Sequence, residues 1–172
     1  MDSARFWQLI EDARGDDQTV AARATALLAA RPPEEIVAAQ QVFWDLMAAS
    51  YRAPLWAAAY VINGGCSDDA FDYFRGWLIA QGREAFERVV ADPDTLAESP
   101  VVRAAAADRM ELDCEEMLGV AWRAHLTATG ERLPAGAFTI RYPDLDPDWG
   151  FDFDDRAEIA RRLPRLAALY RS

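Results

Sequence analysis

The chain has 172 residues, 52% of them apolar, with 29 acidic side chains against 18 basic ones. That is long enough to bury a core and too apolar for a disordered chain. The net charge of −11 disfavours nucleic acid and anionic lipid as partners and leaves cationic or apolar ones. Every basic residue is arginine, which excludes a Schiff-base lysine and a phosphate loop ending in Gly-Lys-Ser/Thr. Cys66 and Cys114 are the two cysteines and His125 the one histidine, so the usual Cys/His zinc site cannot be assembled. No cofactor is expected. The first residues, Met1 to Trp7, show no basic region leading into an apolar stretch, so no signal peptide is expected. The longest apolar run, Ala53–Ile62, is about half of a membrane span. A cytoplasmic protein of one domain with reduced thiols follows.

In chain order, Ser3 is placed to cap a first helix with Phe6, Ile10 and Ala13 on its apolar face, ended by Gly15. A second helix runs from about Asp17 to Ala30 and stops at Arg31-Pro32-Pro33. A third runs from Pro33 toward Ser50, with Ile36, Phe43, Leu46 and Met47 at helical spacing. Pro54 suits the first turn of a fourth helix, which is apolar all round and belongs in the middle of a bundle. Asn63-Gly64-Gly65 ends it. Ser67 caps a fifth helix, with Asp68 and Asp69 in the turn where the helix dipole favours acids. A sixth helix covers 83–91, turns follow at Asp92-Pro93-Asp94 and Ser99-Pro100, and 101–110 is helical by composition.

The spacing then predicts one long amphipathic helix from Glu111 to Thr129, stopped by Gly130. Residues 131–155 form an irregular acidic loop, within which 138–142 alternates like a strand without a partner. A last helix, 154–170, should kink or restart at Pro164. The expectation is an all-α fold: a compact bundle of about seven to nine helices, with 1–130 as core and 131–172 packing on it.

One stretch is unusually dense. It runs from Leu55-Trp56 and Tyr60 through Gly65-Cys66-Ser67-Asp68-Asp69, Phe71, Phe74-Arg75 and Trp77-Leu78-Ile79 to Gln81-Gly82-Arg83. Asp92-Pro93-Asp94 with Leu96-Ala97 follows, and Phe6-Trp7 with Leu9-Ile10-Glu11 precedes. On these residues, over roughly 1–128, the chain resembles the bacterial family catalogued as domain of unknown function 4240, common in actinobacteria. The resemblance implies a fold and a source but carries no established activity.

The candidate binding residues are Cys66, Asp68, Asp69, Arg75 and Glu115. At 100° per residue Asp68, Asp72, Arg75 and Ile79 share one face of the fifth helix. That face either offers acids and an anion-gripping arginine to a ligand or holds capping acids and a structural arginine. The second reading is favoured, because helix starts routinely carry acids. Cys66 precedes a helix N-terminus, where a thiol pKa can fall, yet its only histidine partner would be His125, which lies among Met117, Leu118 and Ala121 as a core residue. Glu115 with Asp68 or Asp69 would make a weak carboxylate set for a divalent ion. The stretch Asp144–Asp155 places acids in a calcium-loop register, but Trp149 stands where glycine is required. A solvated loop with Trp149, Phe151 and Phe153 folded onto the bundle is the better reading.

Two functions compete. One is a non-catalytic, immunity-like or regulatory module that binds a basic protein. The other is a small enzyme or ligand-binder on the Asp68/Asp69/Arg75 face. No nucleophile–base pair or metal motif rises above background, so the first is preferred.

Overall fold

The computed structural model describes residues 1–15 and 17–171, and these form an all-helical fold. In chain order the α-helices are α1 (Ser3–Ala13), α2 (Val20–Ala29), α3 (Pro33–Ala49), α4 (Ala53–Asn63), α5 (Asp68–Ala80) and α6 (Arg83–Ala91). They continue with α7 (Pro100–Asp108), α8 (Val120–Thr129), α9 (Arg156–Arg162) and α10 (Pro164–Leu169). Short 3-10 turns occupy Pro93–Glu98, Glu115–Gly119 and Pro147–Trp149. One continuous core runs through them, from Phe6, Trp7 and Ile10 on α1 through Phe71, Phe74 and Leu78 on α5 to Leu163 and Leu166 at α10. Helix α8 packs between α2 and α3, and α5 packs on the Glu115–Gly119 turn. Among the described residues no helix is long and apolar enough to cross a membrane.

Local chemistry sets the boundaries. The cap of α1 is Asp2, not Ser3: its carboxylate accepts the Arg5 N–H at 2.9 Å, and an ionised acceptor at that position also favours the dipole. Thr19, accepting from Ala22 N–H, starts α2 three residues later than expected. Most of α4 is buried, as its composition requires. Trp56, Tyr60 and Val61 are only half-buried, and Tyr60 faces the C-terminal segment, with its ring against Phe153 and its hydroxyl donating to Asp154 at 2.9 Å.

The expected helix 111–129 is broken. Leu112 is held sideways by the Asn63 amide, which accepts its N–H at 2.9 Å and donates to its carbonyl at 3.1 Å. The Cys114 N–H goes to the Tyr73 carbonyl on α5 at 3.0 Å. Peptide groups engaged in this way cannot join an i to i+4 ladder, so helical geometry begins only at Glu115, first as a 3-10 turn. Gly76 makes the close approach available: a Cβ there would lie 2.7 Å from the Cys114 carbonyl oxygen.

At the other end Pro164 restarts the last helix, with Leu163 non-helical between α9 and α10. The Asp92-Pro93-Asp94 turn does more than reverse the chain. Asp94 is 4% exposed, and its carboxylate accepts the N–H groups of Arg165 (3.0 Å) and Leu166 (2.9 Å) and the Arg165 Nε (3.1 Å). Asp92 and Glu98 take the rest of the Arg165 guanidinium. A helix N-terminus is thus capped by a carboxylate some seventy residues away in sequence.

Two substitutions check this account. Asp94→Ala removes a buried acceptor from three donors and should lower unfolding free energy by about 2–4 kcal/mol in urea titration. Gly76→Ala overpacks against backbone and should cost about 1–3 kcal/mol in the same measurement. A change within experimental error for either would contradict the assigned contact.

Candidate functional site

The turn into α5 follows from its glycines. Gly64 (φ +68) and Gly65 (φ +134) take backbone conformations that L side chains rarely adopt, and Gly65 N–H closes onto the Tyr60 carbonyl at 3.0 Å. Cys66 follows, and its carbonyl accepts the Trp56 indole N–H at 2.9 Å. Ser67 then caps α5, its hydroxyl accepting from Ala70 N–H at 3.2 Å. Asp68 and Asp69 stand exposed in the first turn.

Arg75, two turns into α5, is 0% exposed. Its Nε donates to the Phe71 carbonyl at 3.3 Å, one terminal nitrogen to the Met47 carbonyl at the end of α3, and the other to Asp72. Its guanidinium carbon lies 4.6 Å from the Phe71 ring centre and 5.1 Å from that of Tyr51. Trp56 stacks on Phe71 at 4.7 Å. The second Asp72 oxygen accepts the Tyr142 hydroxyl at 3.1 Å, and Tyr142 sets its ring edge against Tyr51. Burial pushes the Asp72 carboxyl up and the Arg75 guanidinium down, both against their mutual attraction. Desolvation therefore outweighs the Coulomb gain, as in other buried pairs.

The five candidate residues do not converge on one cleft. Arg75 is closed off, with every nitrogen bonded to protein. Asp68 acts on Cys66 and Tyr51 only through space. Asp69 and Glu115 are exposed on the flank, where Glu115 is the main cause of a raised Tyr73 pKa. The Cys66 thiol is pushed up to about 12 by burial, with Arg75 pulling it down and Asp68 raising it. That is the reverse of what a helix N-terminus does for an exposed thiol. His125 is 6% exposed and engages the Glu131 carbonyl through Nδ1 at 2.9 Å, the core placement expected of it.

Among the described residues no three His, Cys, Asp or Glu side chains come together to hold a metal. In the acidic loop Asp146, Asp152 and Asp155 accept backbone N–H groups of their own turns. The loop aromatics fold back, with the Arg162 guanidinium carbon 4.9 Å from the ring centres of both Trp149 and Phe151.

Comparison with known proteins adds one decisive match. The family model described as "Protein of unknown function (DUF4240)" covers residues 1–126. The chain belongs to this family. The family-matched part holds α1 to α7 and α8 as far as Leu126, including Arg75, Asp72 and Asp94, while Tyr142 and Arg165 lie beyond it. No curated protein and no solved structure matches the chain.

Sequence reasoning reached Arg75 and placed Asp68 and Asp72 on its face of the helix, but missed Tyr51 and Tyr142. Only their aromatic side chains hinted at a role. It also missed Asp94, whose Asp-Pro-Asp setting resembles any turn.

The thiols give a direct check. A raised pKa means that the fold disfavours the thiolate, so alkylation of native Cys66 by iodoacetamide at pH 8 should be at least tenfold slower than in urea-unfolded chain. The native rate should keep rising with pH toward about 12. Peptide mass mapping showing Cys66 alkylated at the unfolded rate would contradict the placement.

Proposed function

We propose that the chain is a cytoplasmic, non-catalytic interaction module, immunity-like or regulatory, whose acidic surface takes a basic protein partner. The observation that carries this reading is the disposition of charge. Arg75 is buried against Asp72, Arg165 is held by three carboxylates, and Arg161 and Arg162 share Glu158. Acids meanwhile stand exposed on α5, at Asp68 and Asp69, and on the segment packed beside it, at Glu111, Asp113, Glu115 and Glu116, where Arg123 is engaged by the Glu116 carbonyl. Asp69 and Glu115 both act on Tyr73, and Asp113 and Glu116 both act on Cys114, which places them on neighbouring ground. Such a surface steers a cationic partner and disfavours nucleic acid.

The rival reading, a small enzyme or ligand-binder on the Asp68/Asp69/Arg75 face, needs Arg75 to reach a ligand. Its nitrogens already bond to Asp72, Met47 and Phe71. It also lacks an activated thiol, since Cys66 is held at about 12.

The test is affinity capture from native host cells with the wild-type chain and with Asp69→Arg/Glu115→Arg/Glu116→Arg. The reading expects a basic protein retained by wild type, released as salt is raised, and retained at least tenfold less by the triple variant. Absence of a retained protein, or retention unchanged by charge reversal, would sink it.

A further inference from the structure

The segment between Leu133 (2% exposed) and Trp149 buries no residue, and only Phe138 within it is half-buried. Its middle is nevertheless tied at successive residues to α3 and α5. Gln41 on α3 accepts the Thr139 N–H at 2.8 Å and donates to the Thr139 carbonyl at 3.2 Å, the two bonds that a neighbouring strand would make. The same amide donates to Asp45, one turn along, at 2.9 Å, and Asp45 lies 3.9 Å from the Arg141 guanidinium. Tyr142 then sets its ring edge-on to Tyr51, 5.1 Å between centres, and donates its hydroxyl to Asp72. Ile140 between them is 45% exposed.

A side-chain amide that reads one peptide unit, a carboxylate facing a cation, and an aromatic wall with a carboxylate for a phenol are the parts of an extended-peptide site. We propose that the ledge formed by Gln41, Asp45, Tyr51 and Asp72 recognises an extended segment of a partner protein carrying an arginine followed by a tyrosine. Residues Thr139–Tyr142 occupy it in cis as a built-in competitor. The proposal rests on the reading of the chain as a module for a basic protein, and adds to the acidic flank a second surface that reads one segment of that partner.

Two observations favour recognition over a merely structural strap. The ties are made at exposed positions, Arg141 and Asp45 being 65% and 53% exposed, and such pairs add little stability. A strap that held the fold together would bury apolar side chains, whereas Ile140, Tyr142 and Leu145 stay exposed. The ends are fixed by Leu133 in the core and by Trp149 against Arg162, so the middle can lift without unfolding the bundle.

The probe is a fluorescein-labelled, amidated peptide of residues 137–144, followed by anisotropy against the full chain. Arg141→Ala/Tyr142→Ala empties the ledge of its own side chains. A tethered competitor acts at an effective concentration on the order of millimolar, so this variant should bind the peptide about tenfold or more tighter than wild type. Adding Gln41→Ala and Asp45→Asn, both on the exposed side of α3, should abolish binding, as should arginine-to-glutamate in the peptide.

A folded variant, with wild-type circular dichroism, that shows no saturable binding would overturn the proposal. So would equal binding by wild type and variant, or a wild-type chain that proves to be a strap-exchanged dimer. If the double variant fails to fold, Tyr142→Phe keeps the ring and loses only the hydroxyl. Trypsin should then cut after Arg141 several-fold faster than in wild type, and an unchanged rate would overturn the latch. Should Gln41→Ala/Asp45→Asn retain the captured basic protein as well as wild type does, the ledge fails while the interaction module stands.

Discussion

A guanidinium removed from water must find a partner for each of its nitrogens, and the middle of this bundle is arranged around that requirement at Arg75. It is fully buried on α5, and its partners come from three places: a carbonyl of its own helix, the last turn of α3, and the Asp72 carboxylate one turn back. The rings of Tyr51 and Phe71 supply the remaining contact. Because one bond reaches the last turn of α3, this side chain ties α3 to α5. The opposed pKa shifts of Asp72 and Arg75 show that burial works against the charged forms. Removing either partner alone would leave the other charge buried and uncompensated.

The same logic recurs at the C-terminal end with the signs exchanged. There the buried member is Asp94, and the cation and helix N-terminus come to it from outside the family-matched region. Among the polar groups inside the family-matched part that meet residues beyond 126, two contrast: Asp72 meets Tyr142, and Asp94 meets Arg165. The first meeting is exposed and tied by few contacts, while the second is buried and capped. That difference separates a segment able to lift from one that is part of the fold.

How much was legible in the sequence follows from what each signal reports. The glycine stop, the Ser67 cap and the apolar stripes of α3 and α5 are local, and each fell where spacing placed it. Failures occurred where distant groups claimed the backbone. The 111–129 periodicity fits a helix, but Asn63 and the Tyr73 carbonyl take the peptide groups of Leu112 and Cys114. Ser3 looked like a cap because serine often is one, yet Asp2 one residue earlier offers the stronger acceptor. At the site, helical arithmetic put Asp68, Asp72 and Arg75 on one face and could not decide between the two acids. The decision belongs to burial: Asp72 lies deep enough to bond to Arg75, and Asp68 stays in solvent at the helix start. Nothing local marks Tyr142 as the residue that completes the cluster, since its 70-residue separation from Asp72 is set by the path of the irregular segment.

The central claim is that Arg75 is a saturated structural anchor, and a double-mutant cycle on unfolding free energy tests it most directly. The variants are Asp72→Ala, Arg75→Met and the pair together, with helical circular dichroism confirming a folded state. Asp72→Ala alone leaves a buried cation without its carboxylate and should cost about 3–5 kcal/mol, while the double replacement should cost clearly less than the sum of the singles. A near-zero cost for Asp72→Ala with strictly additive effects would mean that Arg75 is not anchored by Asp72, and the account would fail.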